Sequence, residues 1–281
     1  MISASIVTYQ TPLTELDTCY KALSGGRVAR LYIIDNARQD MVRKWCDKRS
    51  RERKDHPGAP EIIYIPSPNH GYGTAHNIAL RAELTDIHSA ECPYHLVMNS
   101  DVEFQPEIID KIESYMDSHP RVGTLQPRLI GPSGEEQNSC RSLPHPADLF
   151  IKRFMPSKHF SERRTRYMLS SHDRTKTWNI PFHQGSFMFL RKEALHDVGI
   201  FDERFFLYAE DVDLSRRLHS RWLTLYWPQV TVTHFLRASS YHSLRMMLIH
   251  TVSMVRYFNK WGWHTDAERD SFNAAIAEYA D

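Results

Sequence analysis

The chain has 281 residues, and its 35 Lys and Arg residues nearly balance its 34 Asp and Glu residues, leaving a formal net charge of +1. Hydrophobic residues make up 41% of the sequence, so a collagen-like, low-complexity or mainly disordered chain is excluded. The balanced charge argues against a protein that coats nucleic acid, because such a protein needs a clear basic excess.

Targeting signals and cysteines indicate the compartment. No stretch approaches the ~18 apolar residues of a membrane-spanning helix, and the first residues lack the basic start of a secretory signal. Cys19, Cys46, Cys92 and Cys140 are scattered without a Cys-x-x-Cys pair, which favours free thiols in a reducing compartment. We therefore expect a cytoplasmic protein.

Strand-like and helix-like segments alternate through the first half. The pattern predicts strands at 2–8, 31–35, 62–65 and 94–99, and helices at 12–23, 41–54, 74–84 and 106–119. Such alternation indicates an α/β fold with parallel strands and crossover helices. In these sheets ligands bind at the carboxyl ends of the strands, so the residues after each strand are the first candidates for a site.

The middle of the chain changes character. Residues 127–182 are rich in Pro, Ser, Arg and His, and 152–176 holds eight Lys and Arg residues against two acids. We interpret 152–176 as a basic excursion that contacts an acceptor or a lipid phosphate, while an oligomer interface in the middle region remains open. Regular structure is predicted again as a strand at 185–191, a helix at 210–221 and a strand at 231–235.

Polar residues end or follow four of the predicted strands. They are Thr8-Tyr9-Gln10, Asp35-Asn36, the loop from Asn69 to Asn77, and Asn99-Ser100-Asp101. Turn chemistry explains any one of them, but four at one edge describe a crevice with a carboxylate for a ribose or base, a Gly-rich loop and an acid for a divalent cation. The Gly71-Tyr-Gly73 loop has neither dinucleotide-binding nor phosphate-loop spacing, which weakens oxidoreductase and NTPase functions.

A second cluster of acids, Glu210, Asp211 and Asp213, follows the aromatic segment 205–208. A helix N-terminus explains acids there through its dipole. An acid beside aromatic rings also has a raised pKa and can act as a general base, so we place all three in the crevice. His234 ends a strand-like run, and together with Asp101 it would form a mixed site that suits Mn²⁺.

As a set, these residues resemble bacterial glycosyltransferase family 2, and within it the rhamnosyltransferase-like enzymes of surface polysaccharide assembly, such as O-antigen and capsule. The matching elements are Ile33 to Asn36, Asn69 to Gly73 with Asn77, Asn99 to Asp101, Gly185 to Met188 with Arg191, and Glu210 to Leu214 with Arg216. The resemblance implies the GT-A fold: an α/β structure with a Rossmann-like, mostly parallel central sheet flanked by helices, and a C-terminal helical extension.

The resemblance also implies a domain division. Residues 1–238 would form the glycosyltransferase domain, with a nucleotide-sugar half at 1–126 and an acceptor and catalytic half at 127–238. Residues 239–281 would form the helical extension.

Roles for single residues follow from the resemblance as well. Nucleotide-sugar contacts are implied for Thr8, Tyr9, Asp35 (on the base), Asn36, Gly71, Tyr72, Asn77, Asn99, Ser100 and Asp101. Asp211 is the implied base, Glu210 orients the acceptor or the base, and Gly185 and Ser186 line the acceptor side. A divalent cation, Mg²⁺ or Mn²⁺, is implied at Asp101 and His234, and Asn99 replaces the first acid of the family's Asp-x-Asp motif.

The implied reaction moves a sugar, with rhamnose favoured, from dTDP-rhamnose or a UDP-sugar to a hydroxyl of a glycan or lipid-linked saccharide, with inversion. Two other enzymes remain open. A metal-dependent nucleotidyltransferase would share the crevice and the metal, and a glycoside hydrolase could use Asp101 and Asp211 as paired carboxylates. A nucleic-acid binder would rest on 152–176, where aromatic residues are sparse, so we expect no nucleic-acid partner.

The segment 241–263 carries Arg245, Arg256 and Lys260, no acid, apolar residues at helical spacing, and two terminal tryptophans. A basic amphipathic helix of this kind can lie on an anionic membrane surface, which would place the protein at the inner face of the cytoplasmic membrane. The same pattern suits a helix packed on the domain with its tryptophans in the core, and both interpretations remain open.

Overall fold

A computed structural model of the chain describes residues 1–85, 91–148, 161–235 and 244–280. The strands are β1 (Ile2–Thr8), β2 (Val28–Asp35), β3 (Glu61–Pro66), β4 (Tyr94–Met98), β5 (Val102–Glu103), β6 (Val122–Ile130), β7 (Trp178–Asn179), β8 (Phe187–Arg191), β9 (Leu223–His234) and β10 (Ala277–Glu278). The α-helices are α1 (Leu13–Leu23), α2 (Asp40–Glu52), α3 (Tyr72–Thr85), α4 (Glu107–Ser118), α5 (Ser161–Tyr167), α6 (Lys192–Val198), α7 (Glu210–His219), α8 (Leu244–Trp261) and α9 (Ala267–Ala274).

The described strands form one sheet in the order β10-β7-β9-β6-β8-β4-β1-β2-β3, with β5 paired to β9. β1 to β4 run parallel, and the ends of β1 and β2 are in register, Thr8 opposite Asp35. Helices surround this sheet, so the predicted α/β class with a mostly parallel central sheet is confirmed. The carboxyl ends of the parallel strands meet at one edge, where the predicted crevice lies.

The central strands are buried on both faces because helices cover each side of the sheet. Alternate residues of β1, including Ile2 and Ile6, join the large core beneath α1 and α4. On the opposite face, Val97 of β4 and Met188 of β8 pack with Leu214 of α7. The sheet therefore holds the residues at its carboxyl edge on a rigid base.

Several elements differ from the sequence prediction, among them β6, β9 and α6. β6 lies partly in the stretch expected to be irregular, β9 begins eight residues before the predicted strand at 231–235, and α6 was not predicted. The first part of β9 was not predicted because Pro228 interrupts the strand pattern, and a proline cannot donate a hydrogen bond to a regular ladder. The register of β6 with β9 shifts between Pro127 and Arg128, so Pro228 lies in an irregularity where no ladder donor is needed.

Parts of two predictions lie outside the described residues. The basic excursion at 152–176 includes 152–160, and the predicted domain boundary at 238 falls within 236–243. None of the helices in the described ranges is long and apolar enough to cross a membrane. All four cysteines are free and buried, in line with their scattered spacing.

The C-terminal helix α8 is buried on one side only. Tyr257 and Phe258 pack with Phe205 near the acid cluster, and Trp261 Nε1 donates to Asp213 Oδ1 at 2.8 Å. Trp263 also packs against this core. The packing interpretation therefore holds for the tryptophan end of the segment.

A buried ion pair fixes α3 on the sheet. Glu83 is fully buried and accepts hydrogen bonds from Arg30 Nε at 2.6 Å and Lys192 Nζ at 2.6 Å. Tyr32 also donates to it at 2.9 Å. Burial opposes ionisation, but the hydrogen bonds from Arg30 and Lys192 outweigh it and hold the pKa of Glu83 at about 2.

We predict that Glu83→Gln lowers the free energy of unfolding by about 3–5 kcal/mol, because it leaves the buried Lys192 ammonium without its counter-charge. The carboxylate contributes stability above its usual pKa of 4.5 and loses it as the pH falls toward about 2. Urea unfolding across this range should show a weaker pH dependence in the variant. Glu61→Gln, at an exposed position, is the control, and equal stability of Glu83→Gln and wild type would contradict the prediction.

Candidate functional site

Strained backbone concentrates at the carboxyl edge of the sheet. Of the five non-glycine residues with left-handed φ in the described chain, Gln10 and Arg38 follow β1 and β2. Tyr208 and Ala209, with φ of 68° and 66°, directly precede Glu210. Such conformations cost about 1–3 kcal/mol each and persist where the surroundings enforce them, which is common at functional sites.

Asp35, at the end of β2, binds the backbone of the loop that follows it. Its carboxylate accepts hydrogen bonds from Thr8 Oγ1 at 3.2 Å, Tyr64 OH at 3.1 Å, and the backbone N–H groups of Ala37 at 3.1 Å and Gln39 at 2.6 Å. These four bonds fill the acceptor capacity of a carboxylate, and both Asp35 and Thr8 are fully buried. In this structure the polar groups of both residues bind the protein, and their contact with the nucleoside stays a prediction.

Two other residues predicted to contact the nucleoside, Tyr9 and Asn36, have side chains that are not fully engaged by the protein. Tyr9 is 52% exposed beside the end of β1. Asn36 has a side-chain oxygen without a hydrogen-bond partner. A cleft of about 420 Å³ between the loop after β2, the start of α2 and β3 is lined by Arg38, Asp40, Arg43, Tyr64 and Pro66.

Asp101 and His234 come together because β5 pairs with the end of β9, with Val102 opposite His234. Asp101 Oδ1 lies 3.4 Å from His234 Nε2, and Asn99 Nδ2 lies at the same distance from that nitrogen. Within the described ranges, no group of three or more His, Cys, Asp and Glu side chains gathers around a point. The protein therefore offers two ligands here, which is enough for a cation whose other ligands are phosphate oxygens and water.

Gln137, which the sequence did not single out, orients the His234 ring. Its Nε2 donates to the His234 carbonyl at 2.6 Å, so its Oε1 faces His234 Nδ1 at 2.9 Å and accepts the ring proton. This tautomer leaves Nε2 with a lone pair that points toward Asp101. A hydrogen bond at the other ring nitrogen is the usual support of a metal-binding histidine.

The turn that carries Asp101 is held by α1. Ser100 Oγ donates to Glu15 Oε2 at 3.1 Å, and Cys19 Sγ lies 3.2 Å from the Ser100 carbonyl. The Asn99 backbone N–H donates to the Ser186 carbonyl at 3.0 Å. Ser100 therefore fixes the turn through its hydroxyl, while Asp101 is turned toward His234.

The Gly-rich loop joins the two halves of the site. Gly71 has φ of +111°, and a Cβ there would lie 2.2 Å from the Phe206 carbonyl oxygen, so only glycine fits. Tyr72 N–H donates to that same carbonyl at 2.9 Å, and Tyr72 OH donates to the Gly185 carbonyl at 2.7 Å.

Asn77 has a different position from the one expected. It is fully buried, its Nδ2 donates to the Phe201 carbonyl at 2.8 Å, and its Oδ1 accepts from Phe201 N–H at 3.1 Å. Asn77 therefore holds the segment that leads to the acid cluster against α3, and its nucleotide-sugar contact stays a prediction.

Glu210 and Asp211 are adjacent acids in unlike surroundings. Asp211 accepts backbone hydrogen bonds from Gly185 N–H at 3.1 Å and Val212 N–H at 2.8 Å. Glu210 is 4% exposed, and its Oε2 has no hydrogen-bond partner. A Cβ on Gly185 would lie 3.3 Å from Asp211 Cβ, so this glycine allows the close approach.

The electrostatics separate the two acids. Burial, reinforced by the charge of Asp211, raises the pKa of Glu210 well above its usual range. Burial also raises the pKa of Asp211, but the two backbone N–H groups and the Arg141 cation oppose this effect. Glu210 therefore takes up a proton first, and Asp211 keeps the charge that a general base needs.

Asp213, expected in the crevice, faces the other way. It is fully buried, its carboxylate binds Arg217 Nε at 2.9 Å and Lys260 Nζ at 2.6 Å, and it accepts from Trp261. Helical spacing explains this: Asp213 lies on a different face of α7 from Asp211. The predicted crevice acid is instead the anchor of α8.

Comparison with known proteins identifies relatives of this chain. The profile of glycosyl transferase family 2 matches residues 3–199. An N-acetylglucosaminyl-diphospho-decaprenol L-rhamnosyltransferase of Mycobacterium tuberculosis is 33% identical over 187 residues, which are 62% of this chain and 59% of that protein. A low-salt glycan biosynthesis hexosyltransferase of Haloferax volcanii is 24% identical over 219 residues, 77% of this chain and 61% of that protein. The chain thus matches about three fifths of the length of these relatives.

Solved structures share the fold. The mannosyltransferase PcManGT of Pyrobaculum calidifontis, in complex with GDP-Man and Mn²⁺, superposes with a TM-score of 0.56 at 17% identity, covering 91% of this chain and 64% of that one. S. aureus TarS in complex with UDP gives a TM-score of 0.56 at 16% identity, covering 98% and 70%. Both are similar in fold alone at these identities. Because the family profile covers well over half of the sequence, the chain belongs to glycosyltransferase family 2.

Proposed function

We propose that the protein is an inverting glycosyltransferase that moves a sugar from a nucleotide diphosphate sugar to a hydroxyl group of a glycan or lipid-linked saccharide. The observation that carries this proposal is the position of Gly185 and Ser186 between two groups of side chains. Gly185 N–H binds Asp211, and the Ser186 carbonyl binds Asn99 beside the Asp101–His234 pair. A single displacement needs a base and a stabilised leaving group arranged in this way around one reacting carbon.

Asp211 acts as the base in the proposed reaction. The acceptor oxygen attacks the anomeric carbon while its proton passes to Asp211, and the bond from that carbon to the diphosphate oxygen breaks. The electron pair leaves with the diphosphate, and one displacement inverts the anomeric configuration. Glu210, protonated beside it, leaves the negative charge on Asp211 and orients the acceptor.

A divalent cation fits the Asp101–His234 pair. One carboxylate and one imidazole, whose Nε2 carries the lone pair, suit Mn²⁺ and leave coordination positions for phosphate oxygens. When bound, Mn²⁺ or Mg²⁺ would offset the charge of the departing diphosphate. The Mn²⁺ bound to the mannosyltransferase relative of the same fold supports this assignment.

The relatives support a proposal for the donor and the acceptor. The M. tuberculosis relative is named as an N-acetylglucosaminyl-diphospho-decaprenol L-rhamnosyltransferase, and this name supports rhamnose as the sugar and a lipid-linked saccharide as the acceptor. We therefore propose dTDP-rhamnose or a UDP-sugar as donor and a role in surface polysaccharide synthesis. We also propose that residues 1–126 bind mainly the donor and 127–238 the acceptor, with His234 of the second half reaching across to the donor side.

We predict that Asp211→Asn lowers the transfer rate by about 100- to 10,000-fold, because the amide cannot take the acceptor proton. Nucleotide binding should survive, since Asp211 lies on the acceptor side. Release of nucleoside diphosphate gives the rate, and calorimetry with UDP or dTDP gives the binding. Glu107→Gln, in the first turn of α4, is the control.

Near-normal turnover of Asp211→Asn would overturn the assignment of the base. Two products would overturn the reaction itself. A nucleotide sugar made from a nucleoside triphosphate and a sugar phosphate would identify a nucleotidyltransferase, and free sugar released from a polymer would identify a glycoside hydrolase.

We predict that Arg141→Met moves the acidic limb of the pH profile of kcat/KM to higher pH. That limb reports the ionisation of the base in the free enzyme. The Arg141 cation lowers the pKa of Asp211, so its removal raises that pKa and the base loses its charge at a higher pH. Arg141→Lys should keep the wild-type profile, whereas an unchanged limb in Arg141→Met would show that another group titrates.

We predict that Gln137→Leu weakens Mn²⁺ binding by about 10- to 100-fold, because His234 loses the partner that fixes its tautomer. Titration calorimetry with Mn²⁺ in the presence of UDP measures the affinity without any turnover. Gln105→Leu, at an exposed position near α4, is the control. Equal Mn²⁺ affinity in wild type and Gln137→Leu would remove His234 from the proposed ligands.

A further inference from the structure

One face of α8 has no partner in the described chain. Leu244, Leu248, Val252 and Val255 form a line along this helix, here called the α8 stripe, and they are 76%, 64%, 40% and 39% exposed. They recur at the spacing of one helix face. The opposite face, with Met254, packs on the domain, so α8 is apolar on both sides, and the α8 stripe is the side that faces outward.

The charged side chains of α8 itself have one sign. Arg245 and Arg256 are exposed on α8, and at about 100° per residue both fall on the same flank of the stripe. The helix contains no Asp or Glu. The exposed surface of α8 therefore joins an apolar line to a row of cations.

The buried side of α8 is bonded to the segment that precedes the acid pair. Ser253 Oγ donates to the Leu207 carbonyl at 2.8 Å, and the rings of His250 and Tyr208 meet edge to face at 5.0 Å. On the exposed flank of the helix, Arg256 also donates to the Arg204 carbonyl of this segment. A surface that held the α8 stripe would thus lie next to the acceptor side of the site.

From this arrangement we infer that the α8 stripe docks on an anionic lipid surface, with its apolar side chains in the interface and Arg245 and Arg256 at the lipid headgroups. Apolar side chains with flanking arginines are the features that hold a helix in the plane of a charged bilayer. This inference goes beyond the proposed transfer reaction and does not depend on it.

A second copy of the chain fits the α8 stripe less well. An isologous contact would bring the same surface of two copies together, with Arg245 and Arg256 on both sides. Since α8 has no acid to pair with them, such a contact would leave like charges close to one another. Anionic headgroups supply the counter-charge that a second copy of this helix lacks.

Vesicle flotation of the full chain, without donor or acceptor, tests the inference. Wild type should bind vesicles of phosphatidylcholine mixed with phosphatidylglycerol, but not phosphatidylcholine alone, and should bind less at high salt. The triple variant Leu244→Ser/Leu248→Ser/Val252→Ser should lose at least about tenfold in partitioning. Arg245→Gln/Arg256→Gln should lose roughly fivefold for each arginine.

Two matched variants control for general changes of the surface. Met41→Ser removes another exposed apolar side chain, 47% exposed on α2, and Arg51→Gln removes an exposed arginine of the same helix. Both should bind as wild type does. If the triple serine variant fails to fold, the arginine pair still tests the charge, because those side chains lie outside the core.

Three results would overturn the inference. Wild type could remain unbound with anionic vesicles, or the serine and arginine variants could bind as well as wild type. Alternatively, light scattering could show a dimer that the triple serine variant loses, and the α8 stripe would then be a contact between copies. Because no transfer is measured, failure of the proposed function would not produce any of these results.

Discussion

The close approach of Gly71 to the Phe206 carbonyl is the contact on which the rest of the site depends. A glycine with positive φ lets the backbone at the start of α3 lie against the segment before the acid pair, where a Cβ would meet the carbonyl oxygen at 2.2 Å. Tyr72 then binds both this carbonyl and that of Gly185. The loop around Gly71 and the segment before the acid pair are far apart in the sequence but lie against each other here. Asp211 is thereby fixed relative to the strand ends.

The acids at this edge differ in what the protein does with them. Asp35 and Asp213 are saturated with internal donors, so they hold a loop and a helix in place. Glu210 Oε2 has no hydrogen-bond partner, whereas Asp211 accepts from two backbone N–H groups, and burial raises the pKa of both acids. Unsatisfied buried carboxylates are costly, and this cost is tolerated where the chemistry needs a proton acceptor.

Local pattern predicted the first half of the fold well. The strand–helix alternation up to α4 is regular, each strand is a short apolar run, and their parallel pairing follows from the crossover helices. β6, the first part of β9 and α6 escaped prediction. Pro127 and Pro228 break the apparent strands, and their irregular register is stable only because the two strands pair with each other. A long-range partner, absent from any window of sequence, decides such strands.

The sequence by itself determined the α/β class, the order of the polar strand ends and the identity of the acid pair, because periodicity and motif spacing are local properties. Only the tertiary structure decided which of those residues are accessible. Asp35 and Asn77 belong to the predicted motifs. In the folded chain, however, their side chains are buried and form hydrogen bonds within the protein. Gln137 belongs to no motif, and it binds the carbonyl and the ring of His234 because the end of β9 lies beside it. The direction of a side chain and the donors it meets depend on contacts across the sheet, and those contacts exist only once the chain has folded.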